Sequence, residues 1–497
     1  MAGDSDSSAP DKADKLSRRS VLRGGLQIGG GAVLGAMAVK AAEAVSEGAE
    51  IKKIGLSRAR PIAGEQALPA KVDVAIIGGG MVGTATALAL AERGISVALF
   101  EKGVIAGEAS GRAGGLIEGL FWDPAKMEML DYSKRRWRRL AALTGEPTGF
   151  VQRGSCSLFT DPDAVEYAKL WVDSVRHVPN GGARILSAGE AAALAPGSRV
   201  RLVGGVQTPE DGAAEPFLAA PAMAIGARKL GAHIHQFCAV RGIERTAGRV
   251  SAVVTERGRV AASTVILCGG VWSQMMANDL SVDLPLVQCF AKSMSIAPFN
   301  GPKGGTVNMS SPYEVGWRMQ YDGGYVVWEF EGFAPVLPTT VRHAIDLLPA
   351  FQQNAAALAP RFDLDTFWRW MPRLTALPLD RPGPFEETRI YEPKLQSERI
   401  DKGFVHLQEA MPVFRRAAVR DRWCGAMQMA IDNMPVLSAI DTVPGLFVGT
   451  GFMWGFAQGP GAGMALADLA TGRTPEVDLK LFRASRFHDG TKLRYYA

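Results

Sequence analysis

The stretch Val72-Asp73-Val74-Ala75-Ile76-Ile77-Gly78-Gly79-Gly80-Met81-Val82-Gly83 decides how the chain is read. Its first six residues are largely β-branched and have the composition of a buried parallel strand. The next six carry a Gly-x-Gly-x-x-Gly pattern at Gly78, Gly80 and Gly83, after which residues 84–93 read as a helix that stops at Gly94. A second strand is expected over 96–100, ending at Glu101. Gly78 allows the tight turn, Gly80 lets the backbone approach a pyrophosphate, Gly83 lets helix and strand pack, and the helix N-terminus favours negative charge. Glu101 falls near the ~20-residue offset at which a carboxylate accepts from ribose hydroxyls. The glycine pattern alone is a common turn. With strand, helix and acid all in register, it reads as a dinucleotide site on an α/β fold.

Outward from this motif, the 497 residues are 47% hydrophobic and 21% charged, which suits a large buried core and fits neither a disordered nor a collagen-like chain. The net charge is only +5, and no nucleic acid partner is expected. Lys134, Arg135, Arg136, Arg138 and Arg139, interrupted by Trp137, read as a solvated helix face. Cys156, Cys238, Cys268, Cys289 and Cys424 show no CxxC spacing and read as buried thiols rather than a disulfide framework or zinc site. The histidines form no HExxH pattern, His233 and His235 alternate as on a strand edge, and no metal is expected.

The polar residues 1–16 lead to Ser17-Arg18-Arg19-Ser20-Val21-Leu22-Arg23 and an uncharged, glycine-broken run over 24–39. This reads as a twin-arginine export signal, which would place the protein at the periplasmic face of the inner membrane. The run is shorter than the ~20 apolar residues that span a bilayer. Ala42-Glu43-Ala44 offers a small-residue cleavage site; left uncut, residues 1–44 would be a membrane tether, followed by a linker over 45–70.

Further motifs follow. Glu101-Lys102-Gly103 runs into Ala106-Gly107-Glu108-Ala109-Ser110-Gly111-Arg112-Ala113-Gly114-Gly115. Asp211-Gly212 and Pro216 precede a helix, and a strand over 264–268 leads to Gly269-Gly270-Val271-Trp272-Ser273 and then Leu284-Pro285-Leu286. Pro444-Gly445-Leu446-Phe447-Val448-Gly449-Thr450-Gly451 is followed by Trp454-Gly455-Phe456 and Gly459-Pro460-Gly461. Over residues 71–472 the chain resembles the D-amino-acid-oxidase-like family of FAD-dependent oxidoreductases. Within that family it is similar to the membrane-associated bacterial L-amino acid deaminases, in its N-terminus, in Glu101 to Glu108 and in Trp423-Cys424-Gly425-Ala426-Met427.

The resemblance implies FAD as cofactor. It assigns the nucleotide to Gly78, Gly80, Met81, Val82, Gly83, Glu101, Lys102 and Val240, and the second phosphate and flavin to Ser110, Arg112, Gly114 and Gly115. Gly269, Gly270 and Trp272 complete one wall; Gly451, Trp454, Gly455 and Phe456 close the other. It implies a Rossmann-like, glutathione-reductase-like FAD domain from 71–120, 204–281 and 423–472. This is interleaved with an α+β substrate domain on an antiparallel or mixed sheet from 121–203 and 282–422, with a C-terminal tail over 473–497. Residues 333–383 would form a membrane-contacting module or a cap over the site. Asp161-Pro162 opens an expected helix over 163–178.

The resemblance also points to Arg318, before the Asp322-Gly323-Gly324 turn and the strand over 325–328, as the residue that grips a substrate carboxylate. An arginine on a rigid hairpin offers a planar, two-pronged donor. A plain arginine on a sheet edge is the alternative, and Arg369, Arg373 and Arg422 compete for the role. Trp317, Tyr325 and Trp328 would line the pocket or fill core. Ala113, Gly114, Gly115 and Leu116 are smaller or less polar than their counterparts in the deaminases, which implies a roomier or differently shaped pocket. The implied reaction is hydride transfer from the α-carbon of an amino acid, of L configuration, to the flavin. A 2-oxo acid and ammonia follow, and the electrons pass to a membrane quinone or cytochrome. D-amino acids, N-alkyl amino acids and opines are alternative substrates; a flavoprotein subunit dependent on a partner is an alternative of another class.

Overall fold

The computed structural model describes residues 67–493 apart from 180–181, 311–312, 330–331, 354–357 and 372–376, together with Ala59, Ile62, Ala63 and Glu65. The export signal and most of the expected linker lie outside the described residues, as does Arg373.

The opening motif folds as its pattern predicts. Strand Lys71–Ile77, helix Met81–Ala91 and strand Val97–Phe100 form a parallel βαβ unit, with Val74 opposite Val97 and Ile77 opposite Phe100. All eleven helical residues are buried, because the helix lies between its sheet and two further helices, Pro216–Lys229 and Gly455–Ala470. Strand Gly258–Leu267 pairs parallel to Lys71–Ile77 on the other side, and strand His233–His235 closes the far edge. The sheet reaches eight strands by adding the antiparallel run Val240–Thr246 and Arg249–Thr255, and the pair Val436–Ala439 and Leu446–Thr450. Leu446–Thr450 runs parallel beside the end of Gly258–Leu267.

A second, mixed eight-stranded sheet has the order Val419–Ala430, Leu286–Ile296, Tyr325–Glu329, Val315–Met319, Thr306–Met309, Ser155–Phe159, Gly204–Thr208, Arg184–Leu186. All neighbours are antiparallel except Thr306–Met309 with Ser155–Phe159. The expected division of the chain shifts at two places. Gly204–Thr208 pairs with Ser155–Phe159 in the second sheet, and Val419–Ala430 pairs along its length with Leu286–Ile296. The backbone hydrogen bonds of both segments are thus satisfied outside the nucleotide sheet. The helix expected over 163–178 is Pro162–Ser174, ending ahead of Val178-Pro179, where a proline disfavours helical backbone in the residue before it.

One apolar cluster covers the helical side of the first sheet, from Val74, Ile76 and Leu99 to the helices. On the other face Ala75, Ile77 and Phe100 join a cluster that reaches Phe290 and Ala426 of the second sheet, so shared core locks the two sheets together. Helix Ser397–Ala410 packs on the second sheet through Ile400, Phe404 and Leu407. The described residues of 334–371 form two short parallel strands and three helices; Leu347 and Ala350 pack onto Val287 and Met429, while the outer side is exposed.

The charged run of helix Pro124–Thr144 departs from expectation at one residue. Lys134 is 2% exposed and paired with Asp211, whereas Arg135, Arg138 and Arg139 do face outward. All five cysteines are buried free thiols. Glu65, His233 and His235 gather at the far edge of the first sheet, where His233 Nδ1 lies 2.8 Å from Glu65 and His235 Nδ1 lies 3.1 Å from its carbonyl.

Candidate functional site

A cavity of about 520 Å³ runs from the glycine turn of the first sheet to the face of the second. At its nucleotide end Gly78 holds φ +110°, a conformation that demands glycine, and a Cβ there would strike the Cys268 carbonyl. Glu101 accepts from the N–H of Gly79 and of Gly103, each at 2.7 Å, one on each carboxylate oxygen. Each oxygen keeps a lone pair for a further donor. Burial pushes the Glu101 carboxyl up, against the pull of Lys102 and these two N–H groups. The first turn of helix Met81–Ala91 has no cap from its own N-cap residue; Ser110 Oγ accepts from Met81 N at 2.9 Å.

Lys102 is fixed by Glu108 at 2.6 Å and by two carbonyls, with its ammonium 4.4 Å from the Trp272 ring centre. Trp272 in turn donates to Glu108 at 3.0 Å. Arg112 donates to the Tyr391 carbonyl at 2.8 Å and to Glu392 at 2.7 Å. These groups match what FAD requires: helix-terminal N–H groups for a pyrophosphate, a carboxylate for ribose, and a long groove walled by Gly269, Gly270, Gly451 and Gly455 where a flavin can meet backbone.

Of the residues expected at the nucleotide and flavin, Gly78, Gly80, Met81, Val82, Glu101, Lys102, Ser110, Arg112, Gly114, Gly115, Val240, Gly269, Gly270, Trp272, Gly451, Trp454, Gly455 and Phe456 all line this cavity. Gly83 does not. A Cβ on it would run into the Gly78 carbonyl, so it serves helix–strand packing, as its place in the motif predicts.

The far end of the cavity is built differently. Leu116–Ile117 pairs with Gly212–Ala213, and this places Leu116 against Trp328 of the second sheet. Glu118 lines the cavity and accepts from Asn308 Nδ2 at 3.3 Å. Burial, followed by the neighbouring Asp211, pushes its carboxyl up to about 8. Lys292 also lines the cavity, 3.7 Å from Glu329 on the adjacent strand. Glu118, Lys292 and Glu329 escaped the sequence reading, although a lone charge within an apolar strand run, as at Lys292, is a usable signal.

Arg318 sits apart from the main cavity. Its strand is flanked on both sides, so the residue is 2% exposed rather than at a sheet edge. Its guanidinium bonds the Gly114 carbonyl, Glu215 at 3.1 Å and the Met319 carbonyl at 3.3 Å. It occupies the space where Gly115, at φ +76°, would carry a Cβ. Arg318 thus stands behind the 114–115 wall of the main cavity and lines a separate pocket of about 130 Å³ with Arg153, Glu215 and Tyr321. Arg422 pairs with Asp401 and Arg369 reaches Thr388. Among the described residues, the cations that line the main cavity are Lys102, Arg112 and Lys292. Of the three expected aromatics, Trp328 lines the cavity, while Trp317 and Tyr325 pack on Phe414 in the core.

Comparison with known proteins gives consistent relatives. The chain is similar to the L-amino acid deaminase of Proteus myxofaciens, whose structure was solved in complex with anthranilate, at 31% identity over 87% of this chain and 97% of that one, TM-score 0.82. The L-amino acid deaminase of Proteus vulgaris matches at 29% identity over 86% and 100%, also with TM-score 0.82. Mouse mitochondrial sarcosine dehydrogenase is 26% identical over 85% of this chain but only 42% of its own length, so the chain spans less than half of that relative. The glycine oxidase of Geobacillus kaustophilus is 25% identical over 84% of this chain and 97% of that protein. The model of the FAD-dependent oxidoreductases matches residues 73–469, and the chain belongs to that family.

Proposed function

We propose that this flavin enzyme oxidises an α-amino acid of L configuration, by loss of hydride from the α-carbon, to an imino acid that water converts to a 2-oxo acid and ammonia. The observation that carries this reading is the two-ended cavity: a dinucleotide cradle at one end opens without interruption onto a chamber bearing both signs of charge in Lys292 and Glu329, with the titratable carboxyl of Glu118 beside them. Both charges of an amino acid have a counterpart there. The likeness to the two Proteus deaminases supports this substrate class. FAD, when bound, supplies the two-electron acceptor. The protein's part is to orient the α-carbon, exclude water with Leu116, Trp328 and Trp454, and govern the amine proton.

The outer side of residues 334–371 supports a membrane-associated setting. Ile345 is 88% exposed, and Val341, Leu348, Phe362, Leu364 and Trp368 are exposed with it, a concentration of large apolar side chains suited to a lipid surface. Among the described residues no helix is long and apolar enough to cross a membrane. Together with the Arg18-Arg19 export pattern, this favours a periplasmic enzyme resting on the inner membrane and passing electrons to a quinone or cytochrome.

A second reading, oxidation of a secondary amine such as an N-methyl amino acid, draws support from the sarcosine dehydrogenase relatives and from the engagement of Arg318 by Glu215. Anaerobic mixing of the holoenzyme with pools of L-, D- and N-methyl amino acids, followed by flavin absorbance, separates the two. Rapid bleaching by the L pool is expected; bleaching by the N-methyl pool alone would replace the first reading with the second.

A further inference from the structure

We propose that Glu118 is the proton acceptor for the substrate's ammonium group, removing the proton that blocks loss of hydride from the α-carbon. The proposal rests on the amine-oxidation reading above and adds a residue to it. Glu118 lines the cavity two positions beyond Leu116, which packs on Trp328. Its partner Asn308 stands opposite Gly316, and Gly316 opposite Trp328, so the carboxyl and the indole sit over one row of the second sheet.

Behind Glu118 lies a closed polar set. Ser155 and Thr208 both donate to Asp211, and Asp211 pairs with the buried Lys134. The titratable and charged groups facing Glu118 are therefore Asp211 from the turn after Gly204–Thr208, Lys134 from helix Pro124–Thr144, and the Cys156 thiol from strand Ser155–Phe159. Lys134 offsets one of the two carboxylates, and a second negative charge so near Asp211 is disfavoured unless a cation arrives. A substrate ammonium is such a cation.

The chemistry needs this tuning. An alkylammonium titrates several units above an ordinary carboxylate, so an unperturbed Glu would be too weak a base. A Glu118 carboxyl raised to about 8 narrows that gap to the range in which general-base transfer is efficient. In the step itself an N–H bond of the ammonium breaks and an O–H bond forms on Glu118; no electrons change hands. The freed lone pair on nitrogen would then be available to form the C=N bond as the α-carbon loses its hydride, for which bound FAD would be the two-electron acceptor. Water completes the conversion to 2-oxo acid and ammonia.

The test is anaerobic stopped-flow on wild type and Glu118→Gln holoenzyme, with the amino acid that bleaches wild type fastest and an indicator dye in weak buffer. At pH 7 wild type should release close to one proton per flavin on binding, before bleaching, and Glu118→Gln close to none. The wild-type reduction rate at low substrate, which reports the free enzyme, should rise with pH through a limb near 8. In Glu118→Gln the rate should fall about 100-fold or more, with the limb moved upward by at least one unit. Glu118→Asp should keep the limb at reduced rate, and takes the place of the Gln variant should that one lose flavin. No proton release from wild type, or a Gln variant within threefold of wild type with its limb unmoved, would overturn the proposal. Failure of every amine to bleach wild type would instead overturn the amine-oxidation reading itself.

Discussion

The two ends of the cavity solve the same problem, holding a polar ligand out of water, by opposite means. At the nucleotide end the contacts come largely from backbone: the turn at Gly78, the N–H groups of Gly79 and Gly103 on Glu101, and the start of helix Met81–Ala91. At the substrate end they come from side chains on separate segments, with Glu118, Asn308, Asp211 and Lys134 forming one set, while Arg318 with Glu215 braces the 114–115 wall from behind. A backbone cradle is encoded by a contiguous motif. A side-chain set far apart in sequence is encoded by nothing local, and its charges depend on one another.

That contrast can be broken by experiment. The largest effect is expected at Arg318→Ala, which leaves Glu215 charged and buried against the 114–115 wall. Removal of one partner of such a pair costs about 3–5 kcal/mol, read as unfolding of the holoenzyme in denaturant. If the variant unfolds like wild type and only KM rises, Arg318 serves the substrate and the structural role assigned here is wrong.

The second effect concerns Glu118 and pH. Its folded carboxyl titrates near 8, above its unfolded value, so between the ordinary carboxylate range and about 8 the folded state holds the extra proton. Stability is therefore fullest in acid and declines as pH rises through that window, by at most ~1.4 kcal/mol per unit. Glu118→Gln should flatten this slope in denaturation curves taken from pH 5 to 8; parallel slopes would remove Glu118 from the account.

At the nucleotide end a smaller loss is expected, because backbone geometry survives side-chain change. Glu101→Gln keeps one acceptor oxygen, so one of the two N–H bonds becomes neutral and the other is lost, together with one acceptor for ribose. Flavin release by equilibrium dialysis should show binding weakened about 10- to 100-fold while the apoprotein stays folded. The smallest effect on stability belongs to the outer apolar side. Ile345→Ser with Trp368→Ser should change unfolding by roughly 0.5 kcal/mol or less each, yet reduce co-sedimentation with anionic vesicles. Undiminished sedimentation would detach this side from the membrane.

How much of this was legible follows the same division. The βαβ unit and the cavity-lining glycines of its turn and following loop, Gly78, Gly79, Gly80, Gly107, Gly114 and Gly115, could be read from residues 72–115, where periodicity, turn chemistry and an acid at fixed offset reinforce one another. The mixed second sheet also follows from the family likeness. The membership of Gly204–Thr208 and Val419–Ala430 was not legible, because strand composition states that a segment pairs, not with which partner. Arg318 was recognised as exceptional, but its partner Glu215 lies 103 positions earlier and no local pattern joins them. Lys134 sat in a run of charges that composition assigns to solvent, and only the fold brings Asp211 beneath it.

The docking of Ile62 and Glu65 beside strand His233–His235 has a consequence for handling the protein. Glu65 N donates to the Ile234 carbonyl, Gln236 to Ile62, and Arg257 to Glu65, so these residues cover the open margin of the first sheet. A chain trimmed to begin at residue 67 would bare the Ile234 amide and carbonyl to any other strand in solution. Such a shortened protein would keep its flavin cradle and become prone to self-association through that margin, so soluble yield, rather than activity, is what the removal of these few residues would cost.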